Sequence, residues 1–216
     1  MRFQFLALVL CSSGASAQMA PGRSGTSSQV TITGQQAWNE LADFGECYAS
    51  SEQANALKLV STPAGTIDEA KVYKALFQSP DQGCLGDISS MSVPWQYVRG
   101  AVAEGFYTKR IPVPANLAVA TPMAREKVTN LSDMALCYAG GHAAGARSLI
   151  ENTRPGSKQQ EKAIDAMLQD LVACIPPNPA NNPQFDPMIV RYRIAEALWR
   201  LGMVKGQPGS SAGAAN

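Results

Sequence analysis

One histidine, His142, is all that the 216 residues contain, and this scarcity removes several chemistries at once. Zinc sites are built from clustered His and Cys, and the chain offers neither a second His nor a Cys-x-x-Cys. No calcium-loop pattern of spaced acids is present, and no phosphate-cradling glycine loop follows a strand. No metal or other cofactor is therefore expected. A charge surplus is missing as well. With 18 basic residues against 17 acidic ones and no basic run, nothing favours attraction to phosphates, so nucleic acid is not an expected partner. Apolar runs stay well short of the roughly 20 residues that a membrane helix needs. Strand signals reduce to Val30-Thr-Ile-Thr33, too short to carry a sheet.

What is present begins with an address. Residues 1–17 carry one basic residue, Arg2, then the apolar run Phe5 to Cys11, then a small and polar stretch ending Ala15-Ser16-Ala17. Those are the regions of a secretory signal peptide, so the mature chain is expected to start near Gln18. Loss of Arg2 leaves 17 basic and 17 acidic residues, a formal charge of zero. Lipoprotein processing at Cys11 is disfavoured, because Leu10 occupies the position before it where a small residue is needed. The expected compartment is the periplasm, ahead of the extracellular medium, with no transmembrane segment. Four cysteines remain there, in an oxidising environment where disulfides persist.

Four cysteines allow three pairings, and an internal repeat selects one. An offset of 90 residues lays Cys47-Tyr48-Ala49 on Cys137-Tyr138-Ala139 and Cys84 on Cys174. An offset of 92 lays Arg99, Val102, Ala103, Glu104 and Phe106-Tyr107 on Arg191, Ile194, Ala195, Glu196 and Leu198-Trp199. The expectation is a tandem duplication of a unit of about 70 residues, packed with pseudo-two-fold symmetry so that the same face of each copy meets the other. A duplicated unit most simply carries its own bond, giving Cys47–Cys84 and Cys137–Cys174. In the chain-entropy model each closure is worth roughly 3–4 kcal/mol.

The expected layout is a signal peptide at 1–17, a flexible entry segment at 18–34, helical repeat 1 at 35–109, a linker at 110–129, helical repeat 2 at 130–204 and a disordered tail at 205–216. Repeat 1 reads as helix from Trp38 through Val60, a stop at Thr62-Pro63-Ala64-Gly65, a capping box Thr66-Ile-Asp-Glu69 opening a helix to Gln78, and a helix from Pro94-Trp95 to Tyr107. Repeat 2 reads as Leu131 to Ala139, His142 to Glu151, a break at Arg154-Pro155-Gly156, a helix from Ser157 to Cys174 with Ser157-Lys-Gln-Gln160 as its box, and a last helix from about Met188 to Leu201. The prolines of 175–187 exclude regular helix. The fold class expected is all-α, with roughly four helices per disulfide-bearing unit.

On the closing helices, Val98, Val102 and Phe106, and likewise Val190, Ile194 and Leu198, share one face at 3.6 residues per turn. Arg99 and Arg191 flank that face, and Glu104 and Glu196 lie about 140° away from them, too far round to pair within one helix. Two readings stand: solvated helix charges, or ion pairs. In the second, Arg99 meets Glu196 and Arg191 meets Glu104 across the pseudo-two-fold, or each pairs with a neighbouring helix and ties down carbonyls or loop ends. Paired-carboxylate catalysis needs an acid and a base in different environments, which a symmetric pair does not supply. His142 opens a small-residue helix and reads as a surface or capping residue. Trp95, Tyr97, Phe106, Tyr107, Tyr192 and Trp199 could line a groove, or form core.

The arrangement Cys-x-Ala, a Thr-Pro-x-Gly break, a second Cys and the closing Arg-Gly-x-Val-Ala-Glu-x-Phe-Tyr resembles a group of small exported alphaproteobacterial proteins with no assigned function. The resemblance rests on Cys47, Cys84, Arg99, Ala103 and Glu104 with their counterparts; Tyr192 in place of Gly100 departs from it. It implies a periplasmic address and no activity. The expected function is that of a non-enzymatic helical module binding a protein or cell-envelope component. The alternative is a hydrolase of envelope polymers using Glu104 or Glu196 in a cleft between the copies.

Overall fold

A computed structural model describes residues 34–76, 83–85, 93–176 and 185–206. The signal-peptide, Cys11 and Val30-Thr33 readings, most of the entry segment, most of the proline-rich loop and residues 207–216 of the tail lie outside them. Within the described residues the chain is all-helical: α1 (Gly34–Ser51), α2 (Gln53–Ser61), α3 (Ile67–Leu76), α4 (Trp95–Thr108), α5 (Leu131–Gly141), α6 (Ala143–Asn152), α7 (Lys158–Ala173) and α8 (Pro187–Arg200), with single 3-10 turns at Gly83–Leu85 and Arg125–Lys127. No helix among these residues is long and apolar enough to cross a membrane.

Periodicity explains the outer helices. On α1 the buried positions Leu41, Phe44, Gly45, Tyr48 and Ala49 form one stripe, as do Ala56, Leu59 and Val60 on α2 and Ile164, Met167 and Leu171 on α7. Local signals set the ends. The Asn130 side chain accepts the Ser132 and Asp133 N–H groups at the start of α5, and Asp186 does the same for Met188 and Ile189 with Pro187 at the first helical position of α8. Both expected capping boxes form on their first bond, Glu69 N–H to Thr66 Oγ1 and Gln160 N–H to Ser157 Oγ. Their return bond differs from expectation. Glu69 and Gln160 accept not from the cap residue but from the glycine before it, Gly65 at 2.6 Å and Gly156 at 3.0 Å.

The closing helices depart further from the sequence reading. Neither α4 nor α8 has a single core face with polar flanks: from Val98 to Tyr107 and from Val190 to Trp199 every residue is buried. The two helices pack against each other at the centre, with α1 laid on α4 and α5 on α8. Small residues make this possible. A Cβ on Gly45 of α1 would stand 2.2 Å from the Ala101 carbonyl oxygen, and one on Gly105 would stand 2.4 Å from that of Gly45. Where α4 meets α8, a Cβ on Gly100 would stand 2.2 Å from that of Tyr192, so the crossing holds one large side chain and no second.

Both central helices end alike. Arg110 N–H donates to Tyr107 O and Ile111 N–H to Phe106 O, while Gly202 N–H donates to Trp199 O and Met203 N–H to Leu198 O. This is the paired bonding of a Schellman close, with Arg110 and Gly202 both left-handed at φ +60° and +74°. The linker then packs over the end of α8: Ala120 N–H bonds the Arg200 carbonyl, and Pro122 sits against Gly140. At residue 205, the first of the expected tail, the Lys205 N–H is held by the Tyr107 carbonyl.

The close α1–α4 approach yields a test. Gly45→Ala and Gly105→Ala push a methyl into backbone that cannot rotate away, and overpacking of this kind costs about 1–3 kcal/mol. Thermal melts should show midpoints lower by roughly 3–10 °C. Gly141→Ala, where an added Cβ meets no described residue within 4 Å, should leave the midpoint level or raise it.

Candidate functional site

The only place where several ionisable side chains converge away from solvent, among the described residues, is the α4–α8 core. Arg99 is fully buried. Its Nε and one terminal nitrogen donate to the two oxygens of Glu196 at 3.0 and 2.5 Å, a bidentate fork that fits guanidinium to carboxylate. The remaining N–H groups reach the carbonyls of Leu59 (2.9 Å), Val60 (2.7 Å) and Thr62 (2.7 Å) and the Glu69 carboxylate (3.3 Å). Those carbonyls close α2, where a helix leaves acceptors without partners and its dipole is negative.

Arg191 does the same on the other side. Its fork engages Glu104 at 3.0 and 2.6 Å. Its other N–H groups bond the Leu149, Ile150 and Thr153 carbonyls and Thr153 Oγ1 at the end of α6. The solvated-charge reading is thus displaced: all four residues expected as ion-pair members are buried. Each arginine reaches a glutamate of the opposite central helix as well as the carbonyls of a neighbouring helix, so the two alternatives of the paired reading occur together.

Two charged residues that the sequence reading did not place among the ion pairs complete the first cluster. Glu69 has no exposed surface, and Arg193 donates to Glu196 at 3.0 Å. The cluster therefore holds Arg99 and Arg193 against Glu69 and Glu196, two charges of each sign, while the Arg191–Glu104 cluster holds one of each. Gln160, also buried, takes the place in α7 that Glu69 takes in α3, and its amide nitrogen lies 3.3 Å from Met188 Sδ. The sequence marks Glu69 as the reach-back acid of a capping box, but nothing in it distinguishes that acid as buried or as a partner of Arg99. Arg193 falls where the first closing helix has Ala101, so the repeat hides it.

Electrostatics separate the two acids of the first cluster. Burial pushes the Glu196 carboxyl up, but Arg99, by charge and hydrogen bond, with Arg193 and Arg200, outweighs it and leaves the group at about 2. For Glu69 burial wins over the pull of Arg99, the Gly65 N–H and Arg193, with Glu196 adding to the rise, and its pKa lies above the ordinary value.

The cysteines join as Cys47–Cys84 and Cys137–Cys174, each across 37 residues. His142 stands between α5 and α6, exposed, its ring stacked on Tyr138 at 5.1 Å and its Nδ1 3.6 Å from Asp170. Its backbone N–H donates to Tyr138 O and its carbonyl accepts from Ala146; Glu52 makes the matching pair with Tyr48 and Ala56. The groove reading fails for four of its six aromatics. Phe106, Tyr107, Tyr192 and Trp199 are core, with the Phe106 and Trp199 rings stacked at 4.8 Å, because α4 and α8 have no outward side on which to present them. Among the described residues no group of three or more His, Cys, Asp or Glu is placed to hold a metal ion. A Gly-x-Ser-x-Gly string at 209–213 lies outside them.

No family model, curated protein or solved structure matches the chain.

Chemically, this site holds charge in place. Every oxygen of Glu104 and Glu196 accepts from a buried guanidinium. Removing one member of a buried pair costs about 3–5 kcal/mol, since its partner's charge is stranded. Glu196→Gln should lower the melting midpoint by roughly 6–20 °C and Glu104→Gln by less, because Glu196 serves two buried arginines. The pH dependence follows from signs. Glu196 has a depressed folded pKa, so its contribution is complete above its unfolded value near 4.3 and is lost as pH falls toward about 2. Glu69, with a raised one, contributes most below its unfolded value and loses that contribution as pH rises through the folded one. Denaturant titrations between pH 2 and 7 should show Glu196→Gln flattening the acid limb and Glu69→Gln not doing so.

Charge balance predicts a coupling. Glu69→Gln strands a positive charge and Arg193→Ala a negative one, whereas the double variant restores neutrality. In a double-mutant cycle the pair should be less destabilised than the sum of the singles by about 1–2 kcal/mol.

Proposed function

We propose that the chain is an exported, non-enzymatic helical module, formed by tandem duplication of a four-helix disulfide-bearing unit whose copies meet about a pseudo-two-fold axis, and that it binds a protein or cell-envelope component. The observation that carries the non-enzymatic part is the engagement of both glutamates. A general acid or base must reach a substrate proton, and these two carboxylates are buried and forked onto arginines. The alternative, a hydrolase using Glu104 or Glu196, draws no support from that geometry.

Support for the duplication comes from bonds that recur at offsets of 90 to 92 residues. The Gly65 and Gly156 turns, the Glu52 and His142 junctions, the Arg110 and Gly202 closes and the two arginine forks repeat with the same donors and acceptors. The contact of Gly100 with Tyr192, equivalent positions at an offset of 92, is what an axis between the copies requires: a residue on it meets its own counterpart. Two disulfides suit an oxidising compartment, and the sequence resemblance agrees with a periplasmic one.

Capture from the host's own envelope tests the reading. Tagged mature protein should retain a protein or envelope component through stringent washing, and should release no fragments from purified envelope polymers. Fragment release that Glu104→Gln or Glu196→Gln abolishes without lowering the melting midpoint would establish the hydrolase instead.

A further inference from the structure

The two helix-opening turns, Pro63-Ala64-Gly65 and Arg154-Pro155-Gly156, have the same build. In each, the following hydroxyl donates back to the first residue, Thr66 Oγ1 to Pro63 O at 2.8 Å and Ser157 Oγ to Arg154 O at 2.7 Å. In each the glycine is left-handed, φ +76° and +71°, and gives its N–H to the side chain four residues on. Their surroundings differ. The second turn is covered by the start of α1: Trp38 lies so close over Gly156 that a Cβ there would be 2.1 Å from its ring, and the Gln35 side-chain amide donates to the Pro155 carbonyl. Over the first turn no described residue stands within 4 Å of the Gly65 Cβ position, and Ile67, two residues on, is 77% exposed. The asymmetry has a plain cause. α5 starts at Leu131, the position equivalent to Leu41 at the offset of 90, so the first two turns of α1, which carry Gln35 and Trp38, have no counterpart in the second half.

We propose that the Pro63–Ile67 turn is a docking socket for a helical segment of another protein that presents a large aromatic side chain, with a side-chain amide one turn before it. The molecule supplies the template: the same turn shape is met elsewhere in the chain by Gln35 and Trp38, three residues apart on one helical face. The aromatic covers the glycine and the amide meets the Ala64 carbonyl, the counterpart of the Pro155 carbonyl that Gln35 engages. An open glycine leaves room for the ring, and Ile67 extends the apolar floor beyond what Lys158 offers at the equivalent place. Residues 18–33 and 207–216 contain no Phe, Tyr or Trp that could take this role. The proposal rests on the reading of the protein as a binding module and gives that partner its chemistry.

A fluorescent peptide of residues 34–44, which includes Gln35 and Trp38, serves as the probe. Titrated against the mature protein and followed by anisotropy, it should bind saturably at one site. Ile67→Asp in the protein, or Trp38→Ala in the peptide, should weaken it by about tenfold or more, as loss of an aromatic or apolar anchor does. Ile67 is exposed, so the Ile67→Asp protein should keep its melting midpoint. Absence of saturable binding, or binding that Ile67→Asp leaves unchanged because the peptide displaces α1 from Gly156, would overturn the proposal. So would self-association of the mature protein that Ile67→Asp abolishes, which assigns the turn to a second copy. An envelope partner captured equally well by Ile67→Asp would overturn the socket and leave the binding-module reading standing.

Discussion

Two buried guanidinium groups hold the arrangement of helices together. Each stands on one central helix, forks onto a glutamate of the other, and spends its remaining N–H groups on the carbonyls that end a third helix. An arginine in this position cannot be removed piecemeal. Its charge is desolvated, so it needs the carboxylate, and the carbonyls of α2 and α6 need its protons because no next turn follows to supply them. The result couples three separate helices through one side chain, twice. Apolar packing sets how much the fold gains, but these forks dictate which helix lies beside which, since unsatisfied buried charge penalises every other arrangement.

The forks also explain the composition of the central helices. For a fork to close, α4 and α8 must approach closely and be enclosed on all sides, and the side chains around the contact must then be small. Gly100, Ala101, Ala103 and Gly105 on α4 and Ala195 and Ala197 on α8 meet that need. The disulfides work at the periphery, each tying the helix that lies on a central one, α1 or α5, to the segment after α3 or α7. They limit how far the outer elements of a half can separate, while the arginines fix its centre.

Much of this was legible in the sequence because it is written locally. Thr66 and Ser157 with their partners three residues on, Pro94, the Pro-Gly break and the spacing of Cys47 and Cys84 each act within one turn or one loop. The pairing of Arg99 with Glu196 could be named as one reading because the 140° between Arg and Glu forbids pairing on the same helix. What escaped is what depends on enclosure. A helical period identifies one apolar stripe, and α4 shows such a stripe, yet its remaining sides are buried too, since glycine and alanine carry almost no periodic signal. Glu69 and Arg193 escaped for a related reason. Each looks like an ordinary surface charge until the packing of α3, α4 and α8 encloses it, Glu69 beside Arg99 and Arg193 beside Glu196.

That pair points to how the halves came to differ under the proposed duplication. The Arg191 cluster is neutral with Gln160 in the neighbouring turn and Ala101 at the position equivalent to Arg193; the Arg99 cluster is neutral with a glutamate and an arginine at those places. Either substitution alone would leave a charge buried without a partner, so the two belong together and mark one coordinated step. Gly100 and Tyr192 are bound by the same logic in steric form, since the crossing admits one ring. Under the proposed duplication, the departure of Tyr192 from the repeat, which in sequence looks like decay of the motif, is what a position facing its own counterpart demands, since a Cβ on Gly100 would stand 2.2 Å from that of Tyr192.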